Sequence, residues 1–206
     1  MIAAPHLGQG GVDVFWAEMS PCEHLVQIYE DDRVFLDALE GFIGGGINAG
    51  DGVIVIATPL HTLAIEDRLK SRGIDVSAAR VCDQYISMDA EETISKFLRG
   101  ERPDENLFTK LVTDVVTRAK GNGRRVRAFG EMVAVLWARG YCGATVHLEH
   151  LWHRLCQEQV FSLFCAYPRS GFTKEASESL KEICTAHSRV FPNFVPSDEP
   201  TPVPQL

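Results

Sequence analysis

Glu131 stands where a carboxylate can do chemistry. It follows Gly130 at the end of a strand-like run, Val126 to Phe129, and precedes an apolar helix-like run, Met132 to Ala138. In open α/β sheets ligands gather outside the carboxyl ends of strands, so an acid at a strand-to-helix junction faces a crevice. A half-buried carboxylate needs partners, either as an internal strut or as a ligand contact. An earlier junction has the same build: the strand-like run His24 to Tyr29, then Glu30-Asp31-Asp32, then a helix. Those three acids suit a helix N-terminus, where the macrodipole favours negative charge. His24, Gln27 and Tyr29 add polar groups along the strand, with 25, 27 and 29 on one face and 24, 26 and 28 on the other. The two junctions are expected side by side.

Other residue groups point to less. His147, Glu149, His150, His153 and Cys156 lie within one helical stretch, some of them a turn apart. Leu148, Leu151, Trp152 and Leu155 already define its buried face, and no HExxH or paired CxxC is present, so a solvated face is expected and no metal. Phosphate chemistry needs a glycine-rich turn between strand and helix. Gly44-Gly45-Gly46 instead weakens the end of a helix, no GxxxxGK[ST] or GxGxxG follows a strand, and Glu30-Asp31-Asp32 would repel phosphate. No GxSxG or Cys–His elbow marks a nucleophile, and Ser170-Gly171 reads as a turn. The expectation is a protein that is not an enzyme and carries no cofactor.

The positioning elements follow from the apolar pattern. Val53 to Ala57 is a continuous, β-branched run, the mark of a central parallel strand buried on both faces. Phe35, Leu39, Phe42, Ile43 and Gly46 recur at helical spacing after an Asp31 or Asp32 cap. Leu60 to Arg72 reads as a helix with Leu63, Ile65 and Leu69 inward and Gly73 at its end. Arg80 to Cys82 and Tyr85 to Met88 read as short strands, and Asp89 with Glu92 starts a helix to Leu98. Gly100 to Pro103 is a loop, and Asp104 to Lys120 a helix with Leu107, Leu111, Val115 and Val116 inward. Ala144 to Gln157 is helical, Val160 to Tyr167 a buried strand, and Thr173 caps a helix running to about His187. Strands alternating with helices give an α/β fold, a mostly parallel central sheet with helices on both faces.

Composition bounds the function. The 206 residues are 45% hydrophobic and 23% charged, ordinary for one globular domain, with a net charge of -8. That balance argues against a general nucleic-acid or anionic-membrane surface; Arg124, Arg125 and Arg127, the tight basic cluster, read as the solvated start of a strand. No apolar run reaches the roughly 20 residues of a membrane span, and the N-terminus lacks a signal-peptide pattern, so a cytoplasmic protein is expected. Six dispersed cysteines fit reduced thiols. Residues 1–20 read as an extension whose Phe15 and Trp16 dock on the domain or a partner, 21–191 as the domain, and 192–206 as a Pro-rich tail.

The chain resembles the MEDS domain family, the sensory domain named for methanogen and methylotroph proteins and a dichloromethane-metabolism regulator. The matching motifs are HLVQIYE at His24 to Glu30, GDGVIVIAT at Gly50 to Thr58, RAFGEMV at Arg127 to Val133, LWARG at Leu136 to Gly140, LEHLW at Leu148 to Trp152 and FSLFCAYP at Phe161 to Pro168. The resemblance spans about residues 22 to 192. It implies a RecA/KaiC-like fold without Walker motifs, acting as a sensory module for small organic ligands such as hydrocarbon derivatives. It also implies work alongside histidine kinases or DNA-binding regulators. No kinase or helix-turn-helix stands in these residues, so the output is expected to act in trans on such a signalling partner, with a homodimer left open. Position 26 is Val, which gives no support to a thiol sensor on that strand.

The expected ligand pocket uses His24, Gln27, Tyr29, Glu131 and Trp137, with Thr58 and Tyr167 at neighbouring strand ends. Glu131 anchors a polar group, Tyr29 and His24 orient it, and Trp137 forms an apolar wall. The helix from Thr173 to His187 is the element expected to shift on binding. The alternatives are a protein-binding scaffold or anti-regulator without a ligand, a degenerate nucleotide-binding enzyme and, third, a metal sensor using the 147–156 helix.

Overall fold

The computed structural model describes Trp16 and residues 20–172 and 177–191; Phe15, the Thr173 cap and the tail from Pro192 lie outside the described residues. Six parallel strands form the central sheet: β1 (His24–Tyr29), β2 (Gly52–Ala57), β3 (Tyr85–Asp89), β6 (Val126–Gly130), β7 (Ser162–Pro168) and β8 (Arg189–Phe191), in the order β3-β2-β6-β7-β1-β8. A small antiparallel pair, β4 (Leu98–Arg99) and β5 (Arg102–Pro103), replaces the loop expected there.

The helices follow from crossover direction. α1 (Asp32–Asn48), α2 (Pro59–Ser71) and α3 (Val76–Val81) carry the chain from β1 to β2 to β3 and cover one face. α4 (Ala90–Phe97), α5 (Glu105–Lys120), α6 (Met132–Ala138), α7 (Cys142–Gln159) and α8 (Ser177–Ala186) serve the return and cover the other. Right-handed crossovers running in opposite directions must lie on opposite faces. The fold is thus the expected parallel α/β sheet with helices on both sides, consistent with a RecA-like architecture.

Strand alternation builds two cores. Leu25, Val53, Val55, Phe129 and Phe164 face α1 to α3, while Val26, Ile54, Ile56, Ala128 and Leu163 face α4 to α8. The start signals act as expected: Asp31, Asp89 and Asp104 accept backbone N–H groups from Arg33, Glu92 and Leu107.

Several local expectations are corrected. Gly44-Gly45-Gly46 does not weaken the end of α1: the helix continues to Asn48, because Gly44 and Gly46 pass close to Leu69, Ile74, Val53 and Arg127. Arg80 to Cys82 is no strand but the end of α3 and its cap, with Val81 90% exposed. Leu63 is exposed, since the buried stripe of α2 runs through Ile65, Glu66 and Leu69. On α5 the buried line runs through Phe108 and Val112, with Leu107 and Leu111 half-buried at its flank. Arg127 is not solvated: it is 2% exposed, and its Nε donates to Asp51 at 2.7 Å. Its Nη1 donates to the carbonyl oxygen of Trp16, which docks against Phe42 and Phe164.

Candidate functional site

Successive crossovers diverge after β2 and β6, neighbours in the sheet, so the crevice of this fold opens at their carboxyl ends. Glu131 occupies it. Its backbone N–H donates to the Ile56 carbonyl at 2.8 Å, extending the β2–β6 ladder by one residue. Its side chain reaches back across the crevice. Oε2 accepts the Thr58 backbone N–H at 2.8 Å and the Thr58 hydroxyl at 3.2 Å, and Oε1 lies 2.7 Å from Nδ1 of His61. Pro59 at the first position of α2 lacks an N–H, so the free donor at the junction is that of Thr58. His61 sits in the first turn of α2 with about a fifth of its side chain exposed, while Glu131 is more enclosed. The hydrogen bond to Glu131 is the main reason the imidazole's pKa lies above its ordinary value, with burial opposing it.

Tyr29 reaches the same end of the sheet and stacks on Phe35, with centroids 4.7 Å apart. Phe35 in turn meets the edge of His61 at 5.0 Å. Burial first, then the Glu131 and Asp32 charges, push the Tyr29 phenol well above the usual range. A carboxylate–imidazole–hydroxyl set thus stands at this end of the sheet beside the stacked rings of Tyr29 and Phe35. The two acidic junctions are not side by side, however: β7 lies between β1 and β6, and the neighbour of Glu131 is the β2 junction.

The remaining expected residues lie elsewhere, so the pocket drawn from sequence is not one pocket. Gln27 is on the α1 face, 1% exposed, with neither amide atom hydrogen-bonded. Trp137 lines the opposite face. Its indole N–H donates to the Gly171 carbonyl at 2.6 Å, and its ring packs on Phe172 and edge-on to Tyr167. His24 and Tyr167 also face that side, where they join a second cluster.

That cluster is centred on Glu149, which is 0% exposed. Its Oε2 lies 3.4 Å from Nε2 of both His24 and His187, the Cys165 thiol reaches it at 3.6 Å, and the Tyr167 hydroxyl donates to Oε1. The helix around it corrects an expectation. His147 and His150 are exposed as expected, but Glu149 and Cys156 are buried, because Thr145, Glu149, Trp152 and Cys156 share one stripe of α7. Burial opposes the charge on Glu149, yet His187 and His24 hold its pKa well below the carboxylate range. Burial lowers His24 to about 4. The signal missed in the sequence was an acid at helical spacing from Thr145, Trp152 and Cys156.

A shallow depression lined by Pro21, Asp51, Arg125, Arg127, Phe161 and Ser162 opens at the amino ends of the strands. Its charges are paired through Asp51, and it lies at the end of the sheet opposite Glu131. Among the described residues, no helix is long and apolar enough to cross a membrane.

A family model described as MEDS, the MEthanogen/methylotroph, DcmR Sensory domain, matches residues 23–188. The match takes in both the Glu131 crevice and the buried cluster from His24 to His187. No curated protein matches the chain.

Proposed function

This chain belongs to the MEDS family of sensory domains, and on that premise we propose that it binds a small organic ligand in the Glu131 crevice and signals in trans. The observation that carries this reading is the Thr58–His61–Glu131 set at the switch point of the sheet. It offers a ligand a hydroxyl, an imidazole and a carboxylate beside the aromatic wall of Tyr29 and Phe35. Such a site takes a small molecule with one polar group and an apolar body. Its role is non-enzymatic, which the sensory description of the family supports; Thr58 and His61 hold the Glu131 carboxylate in place for the ligand. The partner is a histidine kinase or transcription regulator of a two-component type.

A thermal-shift screen of small organics, with nucleotides as the contrast, tests this. One organic class should raise Tm, since binding to the folded state alone stabilises it. In Glu131→Gln and His61→Gln that rise should shrink to a small fraction while the far-UV spectrum is unchanged. A rise with nucleotides alone, or unfolding of Glu131→Gln, would sink the reading, the latter by making Glu131 a strut.

One observation favours a second reading. Leu60 and Leu63 are 79% and 62% exposed on the first turns of α2, flanking His61. A ligand-free scaffold would use them to hold a protein partner. Loss of partner capture on Leu60→Ser/Leu63→Ser, with no compound stabilising the wild type, would select it.

A further inference from the structure

Four potential metal donors meet inside the α4-to-α8 face, each from a different element. His24 is on β1, Glu149 on α7, Cys165 on β7, and His187 follows α8. All four are buried, and their ligating atoms lie within 4.8 Å of one another. The separations are informative. Glu149 Oε2 stands 3.4 Å from Nε2 of His24 and 3.4 Å from Nε2 of His187. Cys165 Sγ stands 3.6 Å from that oxygen and 3.5 Å from Nε2 of His24. A nitrogen–oxygen hydrogen bond would draw such atoms to about 2.9 Å. Donors around a tetrahedral ion, with bonds of about 2.0–2.3 Å, stand about 3.3–3.8 Å apart.

The surrounding contacts aim these donors inward. Nδ1 of His187 lies 2.6 Å from the Ile183 carbonyl, to which it donates, which leaves Nε2 as the ring nitrogen facing the cluster. That Nε2 has no hydrogen-bond partner. Tyr167 donates to Oε1 of Glu149, which leaves Oε2 as the inward atom. Metal sites use outer contacts of this kind to fix ring and carboxylate orientation.

We propose that His24, Glu149, Cys165 and His187 form a closed binding site for a divalent transition metal of the zinc type. Two imidazoles, a thiolate and a carboxylate suit Zn2+, and they suit Ca2+ and Mg2+ poorly, since those ions take oxygen donors. On loading, the Cys165 thiol gives its proton to solvent and its sulfur bonds the ion. The ion fastens the segment after α8 to β1, β7 and α7. His24 already exchanges hydrogen bonds with Ser188 there, so occupancy governs how firmly the α8–β8 arm is held. The site stands apart from the Glu131 crevice and does not depend on the ligand reading.

The test uses the full chain, stripped with a chelator and titrated with Co2+ as a spectroscopic probe, then with Zn2+. One Co2+ per chain should bind with the strong visible bands of a tetrahedral ion and a near-ultraviolet thiolate-to-cobalt band, and Zn2+ should displace it. Cys165→Ser should lose the thiolate band, and His187→Gln should bind at least about tenfold more weakly, the scale at which even supporting residues act. X-ray absorption of the zinc-loaded wild type, which needs no variant, should show one sulfur and three nitrogen or oxygen neighbours. Absence of stoichiometric Co2+, a zinc shell without sulfur, or binding that survives Cys165→Ser unchanged but fails in His147→Gln/His150→Gln would overturn the proposal.

Discussion

His61 holds its proton more tightly in the folded protein than in the unfolded chain, chiefly through the bond to Glu131. A raised imidazole pKa stabilises the fold fully below the unfolded value, near 6.5, and that stability is lost as pH rises through the folded value. The His61→Gln variant should therefore close its stability gap to the wild type above pH 6.5, as read by urea unfolding between pH 5.5 and 8.5. Because the ring is partly solvated, the pH-dependent part is small, less than about 1 kcal/mol. A gap that widens with pH would contradict the assignment. The residue scale also shows what the sequence could reveal. Glu131 was legible because a glycine and an apolar helix bracket it. His61 was not, since a histidine one position after Leu60 on an amphipathic helix carries no pattern of its own. Glu149 was obscured by His147, His150 and His153, whose spacing suggested a polar face, although the acid itself lies on the apolar stripe. Arg127 was mistaken for a surface charge because its partners, Asp51 and the Trp16 carbonyl, are distant in the chain.

Elements in this fold meet with little clearance, and glycine marks where. A Cβ on Gly52, the first residue of β2, would stand 2.2 Å from the carbonyl oxygen of Ala119 on α5. Backbone cannot yield as a side-chain tip does, so Gly52→Ala should cost about 3 kcal/mol, the upper end for overpacking. Gly143, in the first turn of α7, has nothing within 4 Å of a built Cβ, and Gly143→Ala should stabilise by about 0.5–1 kcal/mol. Denaturant midpoints for the two variants should move in opposite directions, and a neutral Gly52→Ala would show that α5 does not close on β2. The same packing explains which elements could be read from sequence. β2 was plain because a strand buried on both faces is apolar at every position. α3, Val76–Val81, was half mistaken for a strand because six residues show too little period to separate the two. The glycines of α1 looked like a weak helix end because propensity counts against them, while close packing on β2 and α2 favours them.

The sheet order makes the molecule depend on contacts between segments far apart in sequence. β1, near the start of the described residues, is flanked by β7 and β8, near their end. Val26 pairs with Cys165 on one side and Val190 on the other, so β1 is interior only once the C-terminal arm has docked. The polar cluster depends on the same closure, since His24 comes from β1 and His187 from the arm. β8 escaped the sequence reading because Arg189–Phe191 is three residues long and takes its strand form from β1 alone. A chain ending at Ser188 would leave the apolar β1 as an edge with open donors and acceptors, a template for pairing with another copy. Relative to a chain ending at Phe191, it should melt about 5 °C lower, the effect of roughly 1–2 kcal/mol in a protein of this size. Light scattering should also show association that grows with concentration. Equal melting and an unchanged association state would mean that β8 covers an edge the fold does not need covered, and that the α8–β8 arm is free to release without exposing the sheet.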